Sequence, residues 1–184
     1  MLFRLAGLDL AAVQRFADLL CMTLTPGVTF GLIGTLGAGK TKLTQSICGS
    51  LGLDVDEVTS PTFTLMQSHA GHLPAVNDRP KTPLVLHHLD AYRVADEDEF
   101  LELGVDELFE QSGCWTVIEW ADRVESVMPK STVWVRLEIA ADPGFRDVDV
   151  YCHDQGIAKR LCQVGRSIGQ SGSVAWTRVA DGTV

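Results

Sequence analysis

The eight residues Gly34-Thr35-Leu36-Gly37-Ala38-Gly39-Lys40-Thr41 fit the pattern G-x-x-x-x-G-K-[ST] at every fixed position, and no other stretch restricts the fold as tightly. The pattern has meaning only as the turn between a buried strand and a helix. Both flanks comply: Val28-Thr29-Phe30-Gly31-Leu32-Ile33 has the length and apolarity of a buried strand, and Leu43, Ile47 and Leu51 follow at helical spacing. Gly34, Gly37 and Gly39 remove the Cβ atoms that would keep backbone N–H groups away from an anion, and they tolerate positive φ. The N-terminus of the following helix adds fixed positive potential. The loop is therefore expected to cradle a nucleotide triphosphate, with Lys40 reaching the β- and γ-phosphates and the Thr41 hydroxyl on a Mg²⁺ that bridges the same oxygens.

Length and composition fit one domain around that turn. The 184 residues are 46% hydrophobic, enough for one sizeable core and too few for a second. A net charge of -9 supplies no general basic field, which disfavours unaided binding to a nucleic acid. Five scattered cysteines without a C-x-x-C pair argue against both a disulfide framework and a zinc site, and point to a reducing cytoplasm. No run approaches the ~20 apolar residues of a membrane span, so the chain is expected to be soluble.

Along the chain, Leu10, Val13, Phe16, Ala17 and Leu20 recur on one face of a helix over 9–22 that Asp9 would cap. Thr59 to Met66 reads as an extended turn feeding a strand, and 69–83, with three prolines and no period, reads as an exposed loop. Leu84 to Leu89 is a strand ending at Asp90, and Trp115 to Ile118 another ending at Glu119. Of His87 and His88, adjacent on a strand, at most one can face a site, and packing or edge roles are expected for both. Acidic residues 96–99 suit the first turn of a helix, with a second short helix over 106–109. Residues 132–140 and 146–151 alternate with period two across Asp142-Pro143-Gly144, which predicts an antiparallel hairpin appended to the sheet. Ile157, Leu161 and Val164 allow a short helix, and 165–184 are expected to be a loosely ordered tail behind a single domain over 1–164.

The fold class expected is α/β, P-loop NTPase-like, with a mostly parallel central sheet flanked by helices. Acids at the carboxyl ends of strands are where such a sheet places its metal-side and water-orienting groups. Asp90 is thus the expected metal-side carboxylate, with Thr62, Asp90 and Glu119 gathered near the loop. The structural alternatives are a turn role for Thr62, a cap for Asp90, an ion pair of Glu119 with Arg123, and a core position for Trp120. The one asparagine, Asn77, is followed by Asp78, so the Asn-Lys-x-Asp signature of a guanine site is missing and ATP is preferred. A small-molecule kinase would cluster arginines in a lid; Arg79, Arg93, Arg123, Arg136 and Arg146 are scattered, which puts a kinase second and a nucleotide-gated adaptor third.

Four strings in order, Gly34 to Thr41, Ser60-Pro61-Thr62-Phe63-Thr64-Leu65, His88-Leu89-Asp90-Ala91-Tyr92-Arg93 and Ile118-Glu119-Trp120, resemble the ATPase family of bacterial tRNA threonylcarbamoyladenosine biosynthesis, TsaE or YjeE. The resemblance covers about residues 9–150. It implies an ATPase, weak alone and stimulated by partners, that uses ATP and Mg²⁺ to support a TsaD-like threonylcarbamoyl transferase and its TsaB-like partner at adenosine 37 of tRNA. It also implies that tRNA is met only through that complex, in the cytoplasm and without a membrane. Carried over by position, Gly34, Thr35, Leu36, Gly37, Ala38, Gly39, Lys40 and Thr41 hold the nucleotide with Trp120 beside them. Lys40, Asp90 and Glu119 are the implied catalytic residues, and Thr41, Thr62 and Asp90 the metal-side ones. Thr35 and Ala91 depart from the family's usual residues, an acid and a Leu, and neither removes a required group. The loop 69–83 is longer than usual.

Overall fold

The computed structural model describes residues 2–170 and 174–179. Within them, β1 (Leu2–Leu8), β2 (Val28–Ile33), β3 (Met66–Leu73), β4 (Thr82–Asp90), β5 (Cys114–Glu119), β6 (Val133–Ile139), β7 (Arg146–Tyr151) and β8 (Ala175–Val179) form one sheet in the order β3-β4-β5-β2-β6-β7-β1-β8. The four central strands, β4, β5, β2 and β6, run parallel. β3 is antiparallel to β4, and β7, β1 and β8 continue the sheet antiparallel beyond β6. The expected α/β architecture is present. The expected antiparallel hairpin is β6–β7, joined to the parallel strands through β6, a parallel neighbour of β2.

Helix α1 (Leu10–Thr23) packs against both α2 (Lys40–Ser50) and α5 (Gln155–Gly169) beside the sheet. The short α3 (Glu97–Glu102) and α4 (Val105–Glu110) pack with a second cluster. Strand alternation builds both. Phe30, Leu32, Trp115 and Val117 join Phe16, Leu43 and Ile47 in the larger core, while Ile118 joins Leu89, Phe100 and Trp134 in the smaller. Burial of this apolar area supplies the main stabilisation, about 25 cal/mol per Å².

Local chemistry sets the ends. Asp9 caps α1 through Oδ1, which accepts from the Ala12 N–H at 2.7 Å. Asp96 caps α3 through the Glu99 N–H at 3.0 Å, so the acidic run has the dipole role read from sequence. Leu10 does not share the buried face of α1: it is 67% exposed, and the buried set is Ala12, Val13, Phe16, Ala17, Leu20 and Cys21.

Two segments depart from expectation. The segment 69–83 is not one exposed loop, because Met66–Leu73 and Thr82–Asp90 pair as an antiparallel edge and only the turn between them lacks a strand. Arg79 ties that turn down, donating to Leu24 O and Cys21 O, each at 2.8 Å, the otherwise unpaired carbonyls at the end of α1. The stretch from Thr59 to Leu65 is the turn expected, and it feeds β3 at Met66. At the other end, α5 runs to Gly169 and β8 follows, so residues 165–169 and 175–179 are regular structure and not a loose tail. The glycines read as disorder are packing devices: a Cβ at Gly165 would lie 2.5 Å from Trp176 Nε1, and one at Gly169 2.7 Å from Trp176 Cβ. Residues 171–173 and 180–184, the remainder of the expected tail, lie outside the described residues.

Candidate active site

Three adjacent parallel strands end side by side, and the site lies just beyond them. Leu32 is in register with Glu119, and Glu119 with Asp90. The chain leaves β2 into the glycine loop and enters α2 directly, which is the strand, loop, helix order anticipated. At Gly34 the backbone passes so close to β6 that a Cβ would lie 2.4 Å from Leu137 O. Gly39 starts α2 in the left-handed region, φ 106°, and gives the helix no side-chain cap. The first-turn N–H groups of α2 therefore depend on something other than a cap for an acceptor.

Lys40 is 4% exposed. Its ammonium donates to Gly34 O at 2.8 Å and Thr35 O at 3.1 Å, and lies 3.6 Å from the Trp120 ring centroid. Burial pushes its pKa below the ordinary lysine value, while the carboxylates of Glu119, Asp90 and Asp122 pull the other way. Trp120 adopts φ 57°, a left-handed conformation rare outside glycine, directly after Glu119. Its indole packs on Tyr92 with centroids 4.9 Å apart. Backbone strain of this kind costs on the order of 1–3 kcal/mol and gathers at functional sites.

The acids are organised by hydroxyls. Asp90 Oδ2 accepts from Ser60 Oγ at 2.6 Å and Thr62 Oγ1 at 2.8 Å, while Oδ1 accepts from the Tyr92 N–H at 2.9 Å. Asp90 is thus both a turn cap and the anchor of the Ser60–Thr62 segment, so its structural alternative and its predicted position coexist. Glu119 Oε2 accepts from Thr41 Oγ1 at 2.9 Å. Its predicted alternative partner, Arg123, turns away and donates to Val94 O.

These groups line a cleft of about 360 Å³, bounded by Leu36, Gly37, Gly39, Lys40 and Thr41 on one side and Thr62, Asp90, Glu119 and Trp120 on the other. Of the remaining loop residues, Ala38 is fully buried, and Gly34 and Thr35 present their carbonyls to Lys40. Leu36 projects from the loop, 84% exposed. The arrangement offers a positively polarised loop, one amine and two buried carboxylates, each held by its own hydroxyls, Asp90 by Ser60 and Thr62 and Glu119 by Thr41. That donor set suits a polyphosphate with a hard cation. Among the described residues no three His, Cys, Asp or Glu side chains gather as a metal site by themselves.

Three participants escaped the sequence. Ser60 has the shorter hold on Asp90. His88, expected only to pack, lies 2.9 Å through Nε2 from Glu119 Oε1. Arg146, dismissed among scattered arginines, donates to Ala38 O at 2.8 Å and Gly37 O at 3.1 Å, behind the loop. His87 points to the other face, with Nδ1 2.8 Å from Ser68 Oγ. Position in the alternation separated His87 from His88; nothing local in the sequence marked Arg146.

Comparison with known proteins bears on the fold and the family. A crystal structure of YdiB from Bacillus subtilis superposes with a TM-score of 0.66 over 91% of this chain and 96% of that one, at 24% identity, which bears on the fold alone. A tRNA threonylcarbamoyladenosine biosynthesis protein TsaE of Treponema pallidum is 35% identical over 136 residues, 74% of this chain and 90% of that protein. The TsaE protein of Bacillus subtilis is 35% identical over 130 residues, 70% of this chain and 73% of its own length. The model of the family described as threonylcarbamoyl adenosine biosynthesis protein TsaE matches residues 8–147. On a match that spans well over half of its length, the chain belongs to the TsaE family of tRNA threonylcarbamoyladenosine biosynthesis proteins.

Proposed function

We propose that this chain is a Mg²⁺-dependent ATPase that supports the threonylcarbamoyl transfer to adenosine 37 of tRNA, acting with a TsaD-like transferase and a TsaB-like subunit. The observation that carries the reading is the meeting of Lys40 and Thr41 with Asp90 and Glu119 across one cleft at the ends of three parallel strands. In this reading the loop N–H groups from Gly34 to Thr41 and the end of α2 hold the phosphates. Lys40 exchanges two carbonyl contacts for phosphate oxygens, a stronger, charge-assisted set. Thr41, Thr62 and Asp90 would hold the cation with hard oxygen donors. When bound, Mg²⁺ neutralises charge on the phosphates. Glu119 orients the attacking water, and Trp120 and Tyr92 wall the cleft.

The net charge of -9 favours contact with tRNA through the partner complex over contact through this chain alone. Among the described residues no helix is long and apolar enough to cross a membrane, and we place the activity in the cytoplasm. The test is direct. Lys40→Ala should abolish ATP binding by calorimetry, while Asp90→Ala and Glu119→Ala should lower phosphate release far more than ATP affinity, with the partner complex present. Full turnover in all three variants would overturn the reading. Transfer of the γ-phosphate to an added acceptor would mark a kinase, and ATP-dependent partner capture without phosphate release an adaptor.

A further inference from the structure

Glu119 can orient a water only if its carboxylate is held in one pose, and Thr41 reaches only one of its two oxygens. The other oxygen faces His88, which is fully buried on β4 two residues before Asp90, with Nε2 2.9 Å from Oε1. A carboxylate has no hydrogen to give, so the ring nitrogen donates. Both oxygens of Glu119 are then committed, one to the imidazole within the protein and one toward the cleft.

The far side of the ring raises a second question. His88 Nδ1 is buried and has no partner in the protein. Gln67 stands directly opposite on β3, and its Oε1 is equally buried and unpartnered. His69, two residues along on the same face of β3, has a buried, unpartnered Nε2. Burial first, and then the nearness of His88, lowers the His69 pKa. Buried polar atoms are almost always paired, and leaving one unpaired costs about 1–3 kcal/mol. One internal water with three protein partners is an ordinary way to satisfy such a group.

We propose that His88 is a positioning residue for Glu119, its ring steadied from behind by an internal water shared with Gln67 and His69. The kinetic part of this proposal rests on the ATPase reading; the structural part does not. The geometry explains why a histidine occupies an apolar strand, and why inward-facing polar residues occupy the edge strand beside it.

The test has two arms. In the first, His88→Leu removes the donor, and kcat for phosphate release should fall about tenfold or more, with ATP affinity within about twofold of wild type. His88→Gln, whose amide nitrogen reaches about as far as Nε2, should restore most of the rate. Equal rates in wild type and His88→Leu, or no recovery in His88→Gln, overturn the proposal. The second arm needs no turnover: in the folded full chain, the Nε2-bound hydrogen of His88 should give a slowly exchanging, downfield NMR signal. That signal should be lost in His88→Gln and should shift in both Glu119→Gln and Gln67→Leu. A His88 signal in free exchange with solvent, or indifferent to Glu119→Gln, overturns it even if His88→Leu fails to fold. Should wild type with its partners release no phosphate, the ATPase reading falls while the NMR arm still decides the role of His88.

Discussion

Gly34 shows how much of this site is decided by single atoms. A methyl group there would lie 2.4 Å from the Leu137 carbonyl oxygen, on a backbone at φ 151°, and the neighbouring element is backbone that cannot rotate aside. Gly34→Ala must therefore push the loop off β6. The expected cost is about 3 kcal/mol in urea unfolding, with ATP affinity lost alongside it. At this scale the glycine loop between β2 and α2 was legible because its residues have fixed spacing. Ser60 and His88 were not legible, because each earns its role from a residue on another element: Ser60 from Asp90 thirty residues on, and His88 from Glu119 across the parallel pairing. Asp90 was read correctly as a strand-end acid, but its simultaneous work as cap and hydroxyl anchor depends on side-chain directions that no spacing reveals.

Between elements, the connection from β6 to β7 reaches back to the loop through Arg146. Its guanidinium spans Ala38 O and Gly37 O from behind, and a third nitrogen holds Pro143 O and Phe145 O within its own turn. The fork holds those two loop carbonyls in place from behind. Arg146→Ala should weaken ATP binding about tenfold by calorimetry with little loss of thermal stability. Arg146→Lys should not restore it, because a lysine lacks the planar fork whose separate nitrogens hold the two loop carbonyls and the turn carbonyls together. The α1–α2 contact carries a different liability. Cys21 and Cys48 are fully buried there, and burial pushes both thiols from 9.0 up to about 12. Folding thus favours the protonated thiols, so the folded chain binds more protons than the unfolded one between about pH 9 and 12. Stability is intact below that window and falls through it, by about 3 kcal/mol for the pair at pH 10. Urea midpoints at pH 7.5 and 10, compared with Cys48→Ala, should show the loss and its reduction in the variant. Strand β3 was hidden for a reason at this same scale: its inward face carries Gln67 and His69, so the apolar alternation that normally marks a strand is absent.

Across the whole molecule, the sheet separates chemistry from closure. The cleft lies at β4, β5 and β2, whereas the far edge is built from β1 and β8, which pair with each other although they come from opposite ends of the described chain. No local period announces such a pairing, since each strand gains its partner only after the rest of the sheet exists, and its closure entropy is paid late. Trp176 joins β8 to α5 by lying over Gly165 and Gly169 and against Phe3 of β1. Trp176→Ala removes that wedge, and a half-buried indole at such a junction is worth about 2–4 kcal/mol. β8 is four strands from β2, about 19 Å at the usual strand spacing, with the rigid β6–β7 pairing in between. The variant should therefore unfold at lower urea while binding ATP within about twofold of wild type below its transition. If affinity fell together with stability, the far edge would have to be counted as part of the nucleotide site, because a purely structural wedge cannot act through three intact strands.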